Sequence, residues 1–312
     1  MRTKLIFTLC LLILFFILIH PVAAANAASD GLLLWYRQIL PTLLPITILS
    51  NFFVYGNFIS MITGIFFPFF RILFPSSKNG SYVIFAGTFF GFPMGSKLCS
   101  DLASRNMIVS KEAQILATCF NQFSPSFFAN YVMISLLQKE EYILPAYIIV
   151  TLPPCVYARY QLSRHKFADS VDPRCNKKTT STFHLNFGIV DIAITNAFES
   201  ITKIGGYLIL FSLFDCILST YLPKNSVLTT LCTGCLETTT GIARMQSSQL
   251  SEAQIFGLTL FLFSFGGLCG FAQTCSMSKG YPFKKIQYLL TRLIFAIISG
   301  VFGYFFLLFR HF

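Results

Sequence analysis

The chain reads as an all-α, polytopic membrane protein, and three observations point there. It is 54% hydrophobic and only 11% charged, whereas soluble domains carry about 25% charged residues. Apolar runs recur along all 312 residues, and several approach the roughly 20 residues that a membrane-spanning helix needs. These runs are continuous, whereas a β-barrel would show short alternating segments. Mean hydropathy is +0.67. About eight membrane segments are expected, with the lipid bilayer as the first partner.

The formal net charge of +11 does not mark a nucleic-acid binder. The basic residues sit between apolar runs rather than along one amphipathic face. The densest group, Arg159, Arg164, Lys166, Arg174, Lys177 and Lys178, falls in the one long polar segment. Positive charge in short loops marks the cytoplasmic side. Of the ten cysteines, most lie in apolar segments, where a free thiol behaves as a small hydrophobe. Cys232 and Cys235 form CTGC, but no second pair or nearby histidine supports a metal or redox site. No cofactor is called for.

In chain order, Arg2 and Lys4 precede an apolar run from Leu5 to Ile19, and small residues follow. A cleaved secretory signal has this form. An uncleaved first helix is preferred, because the next segment is also membrane-embedded. Residues 1–30 are therefore assigned to a first membrane helix and an amphipathic link. Trp35, Tyr36 and Arg37 suit an interface, and Pro41 and Pro45 bend a span over residues 38–58. Residues 59–74 read as interfacial or partly inserted. Residues 82–98 form a broken segment, and long helices are expected over residues 111–137 and 142–158. The basic cytoplasmic loop takes residues 159–186.

The second half opens with Asp191, Glu199 and Lys203 on an amphipathic stretch, expected to lie on the membrane surface. Spans follow at 204–222, 253–275 and 287–309, with a short, polar-interrupted segment at 227–245. The two halves, 31–158 and 187–312, echo each other. SKEAQIL (110–116) matches SEAQIFG (251–257), placing Glu112 against Glu252, 140 residues apart. The same offset pairs Lys97 with Glu237 and Ser124 with Ser264. Weak internal symmetry of this kind marks secondary-transporter folds. If the basic segments at 159–178 and 279–285 share one side, the copies are inverted.

GTFFGFPMGSKL (87–98) resembles a phosphate-binding loop only superficially. A Walker loop needs G-x-x-x-x-G-K-[ST] after a strand, and here Lys97 is followed by Leu98. Gly91 and Gly95 supply backbone freedom, and Pro93 removes a helical hydrogen bond. A broken hairpin results, of the kind tolerated at membrane depth only where it is protein-buried or lines a cavity. The alternative is that Gly87, Gly91 and Gly95 form a small-residue packing face.

GLLLWYRQILPTLLP, GFPMGSK, the SKEA helix with Asn121-Gln122 and Ser124-Pro125, LETTTGI and SFGGLCGFAQ together resemble the sporulation integral membrane protein YlbJ family. The resemblance runs from about residue 5 to 309. It implies a nucleoside-recognition or "Gate" domain, a transporter-like fold and a role in endospore formation. Gln122, where a second Asn is expected, and Phe271, where a more polar residue is expected, depart from the pattern.

Ionisable groups within spans are costly and usually face the bundle interior or water. Lys97, Asp101, Glu237 and Arg244 are the candidates, with Lys97 and Glu237 approaching a central site as an ion pair or as ligand contacts. Pro93, Asn121, Gln122, Thr238, Thr239 and Gln273 complete the ligand-binding set. Gly91, Gly95, Gly234 and Gly241 are the expected hinges. Asn121, Gln122 and the threonines can equally serve only to cross-link helices, whereas for Lys97 and Glu237 a ligand role is favoured over a structural salt bridge between them. The functions in competition are a permease for a small polar solute, with or without a coupling ion, and a non-transporting assembly protein of the forespore membrane. An enzyme is not expected: the histidines, at 20, 165, 184 and 311, sit at span ends or in loops, with no H-E-x-x-H. Self-association into a homo-oligomer stays open.

Overall fold

A computed structural model describes residues 2–56, 58–165, 167, 187–222, 227–245 and 248–310. Every regular element among them is helical. Helix α1 (Arg2–Ile19) bends at His20 into α2 (Pro21–Leu34). A π-helical turn, Trp35–Ile39, carries α2 on into α3 (Leu40–Tyr55). The link expected before residue 30 takes helical form. Pro21 at the first helical position and the alanine-rich run behind it start a new helix instead. Helix α4 (Ile59–Leu73) packs on α5 (Lys78–Phe89).

The next elements are half-length. Helix α5 is followed by α6 (Met94–Ser104), then α7 (Ser110–Cys119) and α8 (Pro125–Phe127), which continues as a π-helix to Leu136. The long helix expected over 111–137 is thus broken at 120–124. The cause is Ser124-Pro125: proline disfavours a helical residue before it, and Ser124 caps the new helix by accepting from the Phe127 amide at 3.2 Å. Helix α9 (Ile143–His165) is continuous. Lys166, Arg174, Lys177 and Lys178 of the basic loop lie outside the described residues.

Helix α10 (Phe187–Tyr221) runs unbroken through the stretch expected to lie on the surface. Gly205, inside it, admits the Trp35 indole, whose Nε1 donates to the Ile201 carbonyl at 2.8 Å. Helices α11 (Val227–Leu236) and α12 (Thr238–Met245) part at Glu237. Helices α13 (Glu252–Phe265) and α14 (Gly267–Met277) part at Gly266, so the expected span 253–275 is also divided. Helix α15 (Lys285–Arg310) closes the chain.

Among the described residues, five stretches are long and apolar enough to cross a membrane: Pro21–Tyr55, Glu140–His165, Phe187–Tyr221, Glu252–Met277 and Lys285–Arg310. About eight were expected; several of the other apolar runs are split into pieces too short to span. On α9 the exposed apolar residues Leu144, Ile148, Leu152 and Val156 fall every fourth position, one face of a helix turned outward. Such a stripe would be a liability in water and fits a hydrocarbon surround.

The helices can be placed end to end. Helices α9 and α15 lie antiparallel: the Arg310 guanidinium sits 4.9 Å over the Tyr142 ring, Ser299 Oγ donates to the Ile149 carbonyl at 3.3 Å, and the Tyr157 and Phe295 rings are 5.5 Å apart. One end of the bundle therefore holds His165 and Lys285, and the other holds Tyr142 and Arg310. Helix α7 starts at the His165 end, where Gln114 Oε1 accepts from the Lys284 amide at 2.8 Å. Helix α13 starts at the Tyr142 end, where Glu252 pairs with Lys139 at 2.9 Å. The two helices that share the E-A-Q-I pattern thus begin at opposite ends.

The hairpins follow suit. Helices α5 and α6 are rooted at the His165 end: the Ser77 amide donates to Glu112 Oε1 at 2.7 Å, and Ser100 Oγ accepts from the Lys279 and Gly280 amides. Helix α11 opens toward the Tyr142 end, where Leu231 shares an apolar recess with Leu250 and Gln254.

Candidate functional site

Four helix interruptions meet at one cavity of about 390 Å³. Gly91, Ser124, Glu237 and Gly266 each line it, one from each break. The causes differ. Gly91 takes φ +83°, a region costly for other residues, and a Cβ there would lie 2.7 Å from the Ser124 amide. The first two breaks therefore touch. Gly266 takes φ +80° and ends α13 as a left-handed cap. Glu237 opens α12 by capping it, as described below.

The walls are mixed. Phe89, Phe90, Phe92, Phe123 and Phe127 make an aromatic side, while Gln38, Thr42, Asn130, Thr239 and Gln273 supply polar groups. An apolar pocket with a few placed polar groups is the usual form of a small-molecule site.

The expected site residues divide. Gly91, Glu237, Thr239 and Gln273 line the cavity. Glu237 Oε2 accepts from the Thr239 hydroxyl at 2.5 Å, the Thr240 amide at 2.7 Å and the Thr240 hydroxyl at 2.8 Å. A carboxylate at a helix N-terminus is favoured by the free amides and by the dipole. Gln273 Nε2 donates to Cys269 Sγ at 3.2 Å. Thr238 Oγ1 is buried without a partner, packed against Gly267.

Lys97 and Asp101 do not reach the cavity. Lys97 Nζ donates to Asp101 Oδ2 at 2.7 Å and to Asn51 Oδ1 at 2.9 Å. The expected approach of Lys97 to Glu237 is not there. Lys97 sits one turn down the returning arm of its hairpin, whereas Glu237 sits at the tip of the other, so the 140-residue offset breaks down between the hairpins. Pro93 lies at the first break but outside the cavity lining. Asn121 and Gln122 lie in the second break, not mid-helix. Asn121 is a bolt: its Oδ1 accepts from the Ser96 amide at 3.2 Å, and its Nδ2 donates to Thr274 Oγ1 at 3.0 Å. Gln122 Nε2 donates to the Cys119 carbonyl, one left free where α7 stops.

Three of the four expected hinges are not hinges. Gly95, Gly234 and Gly241 lie inside helices. A Cβ on Gly95 would come within 2.1 Å of the Phe120 carbonyl oxygen, and one on Gly241 within 2.0 Å of the Gly234 Cα. They are points of close backbone approach. Gly91 alone of the four sits in a break.

Two features go beyond the sequence reading, the partners of Arg244, itself a candidate, and the buried Arg292, which was not one. Arg244 Nη2 pairs with Asp215 Oδ2 at 2.5 Å and its Nη1 donates to Ser219 Oγ at 2.6 Å, in a second, polar cavity of about 490 Å³ that Thr240 also lines. Arg292, about two turns into α15, is 2% exposed. Its Nε and Nη1 have no hydrogen-bond partner. A lone arginine inside a 26-residue apolar helix was a visible signal.

In sequence the chain is similar to the sporulation integral membrane protein YlbJ of Bacillus subtilis (strain 168), 25% identical over 317 residues that take in 91% of this chain and 77% of that protein. No family model matches the chain, and no solved structure matches it. The similarity spans the helices that build the cavity, so the likeness first read in scattered motifs extends over nearly the full length. This chain is a multi-pass helical membrane protein and a distant relative of the sporulation integral membrane protein YlbJ.

Proposed function

We propose that the chain acts in endospore formation by binding and moving a small polar solute through the cavity where the four breaks meet. The convergence of those breaks is the observation that carries the reading. Discontinuous helices that meet near the midplane, contributed by two repeats, are the usual transporter site. The opposite starting ends of α7 and α13, and the opposite roots of the two hairpins, support two inverted Gate-like repeats, 31–158 and 187–312. Movement of one repeat against the other would then expose the cavity to each side in turn. With no ATP-binding signature in the sequence, transport is passive or ion-coupled. The site of action is the membrane of the sporulating cell or forespore.

The test is to change Thr239 to Val and Gln273 to Leu, then measure membrane abundance and spore maturation together. Normal abundance with failed maturation supports a working cavity. Wild-type maturation in both variants removes the cavity from the account. Abundance and maturation falling in step favours the other reading, an assembly protein of the forespore membrane.

A further inference from the structure

We infer that Asp215 is a proton-binding site, where a proton exchanges with Arg244 as α12 moves. This names a coupling ion for the solute reading given above and rests on that reading.

The site is the second cavity, of about 490 Å³. Asp215 lines it from α10, Arg244 from α12 and Asp30 from α2. Arg244 Nη2 holds Asp215 Oδ2 at 2.5 Å, while Asp215 Oδ1 is buried with no partner. Three other ionisable groups are near. Cys216 shares the wall, Glu237 is one bond away through Thr240, and His20 lies beyond, against Tyr221. Among the described residues, α3, α11 and α14 add no charged group to the lining.

The two partners are unlike. The Arg244 side chain is 36% exposed and that of Asp215 only 7%. If the pair parts, the guanidinium can turn to water, but the carboxylate is left as a buried charge. Leaving one member of such a pair uncompensated is strongly unfavourable. A proton on Asp215 removes the obstacle. An O–H bond of a hydronium ion breaks as one forms on the carboxylate, leaving a neutral carboxyl and a water molecule. A metal ion fits the site badly, because hard cations need several oxygens. Here a guanidinium already holds Oδ2, and Oδ1 is closed to anything as large as water. A proton needs no such space.

Coupling comes through α12, the returning arm of the second hairpin. Thr240 lines this cavity, and its amide and hydroxyl hold Glu237, which lines the solute cavity. Arg244 follows one turn later on the same helix. A shift of α12 therefore alters both spaces together. The first hairpin supplies the contrast. Its returning arm, α6, also reaches a long helix before it, where Lys97 Nζ donates to Asn51 Oδ1 at 2.9 Å. Asn51 is neutral, and the carboxylate paired with Lys97 is Asp101, on α6 itself. That arm can leave α3 without separating charges, whereas α12 cannot leave α10 without doing so. One of the two arms thus needs a proton to move.

A competing explanation is that Arg244 and Asp215 form a permanent brace. The two part in infrared difference spectra of the full chain in lipid vesicles, taken between mildly alkaline and mildly acidic buffer. Acid should bring up the carbonyl band of a protonated carboxyl, and isotope labelling of aspartate should move that band. Asp215→Asn should remove it, and Asp30→Asn should leave it. Asp215→Glu, the milder change, should replace it with a band blind to the aspartate label. Arg244→Gln should bring the band up in less acid, because nothing then competes with the proton. A wild-type spectrum without an aspartate band would overturn the proposal whatever the variants do. So would a labelled band that survives both changes at Asp215, or one that Arg244→Gln leaves in place. The spectra need no solute. A positive result alongside normal maturation of the Thr239 and Gln273 variants would sink transport and leave the proton site standing. A missing band alongside failed maturation would sink the proton site and leave transport standing.

Discussion

Asn121 and Thr274 join the two halves of the chain: Asn121 Nδ2 donates to Thr274 Oγ1 at 3.0 Å, across 153 residues of sequence. Polar bonds between membrane helices average about 0.6 kcal/mol. Asn121 should count for more, because its Oδ1 also takes the Ser96 amide at a helix start. Leaving such a buried donor unmet costs about 1–3 kcal/mol. Asn121→Ala should therefore lower stability more than Thr274→Val. A double-mutant cycle in detergent unfolding should return a positive coupling between them, and additive losses would mean the bond contributes nothing.

Lys97 and Asp101 form an i,i+4 pair with Asn51 as a second acceptor for the ammonium. Removing Asp101 leaves the buried Lys97 ammonium without its counter-charge, and removing Lys97 leaves the half-buried Asp101 carboxylate unpaired. Lys97→Ala and Asp101→Ala should each reduce membrane abundance. Exchanging the two, Lys97→Asp with Asp101→Lys, should restore part of it. Exchanging charges between Lys97 and Glu237 should restore none. Rescue by that second swap would show the two meeting in a state not seen here.

Gly241 and Gly206 make opposite predictions from the same substitution. A Cβ at Gly241 would press to 2.0 Å of the Gly234 Cα, whereas one at Gly206 meets nothing within 4 Å. Overpacking of this kind costs about 1–3 kcal/mol. Alanine in a helix is favoured over glycine by about 1 kcal/mol. Gly241→Ala should lower the thermal midpoint, and Gly206→Ala should hold or raise it.

Much of the fold was legible, because membrane helices announce themselves by length and composition. The break at Gly91 was visible in its glycine and Pro93, and the one at Glu237 in a charge and three threonines interrupting an apolar segment. The breaks at Ser124 and Gly266 were equally marked, by Ser-Pro and Gly-Gly, but each fell inside a stretch long enough to be read as one helix. What the sequence could not reveal was tertiary. Beside Asp101, one turn on, Lys97 is held by Asn51, 46 residues away on α3, and a constant offset between the halves assumes equal hairpins, which these are not. Gly95, Gly234 and Gly241 looked like hinges because backbone freedom and close approach call for the same residue.

The opposed helix ends make a topological prediction. In a chain cleared of native cysteines, new ones at Arg164 and Lys284 should react with an impermeant maleimide from one side of the membrane. Those at Lys139 and Ser251 should react from the other. Labelling of all four from one side would contradict the inverted arrangement.

The claim on which the rest depends is that four interrupted helices share a single solute space. Cysteines placed singly at Phe92, Ser124, Thr239 and Gln273 test it directly with a water-soluble thiol reagent. All four should react, and in paired variants a bulky adduct at one position should block reaction at the other. Independent reaction at each position, or reaction only with a lipid-soluble reagent, would contradict the account.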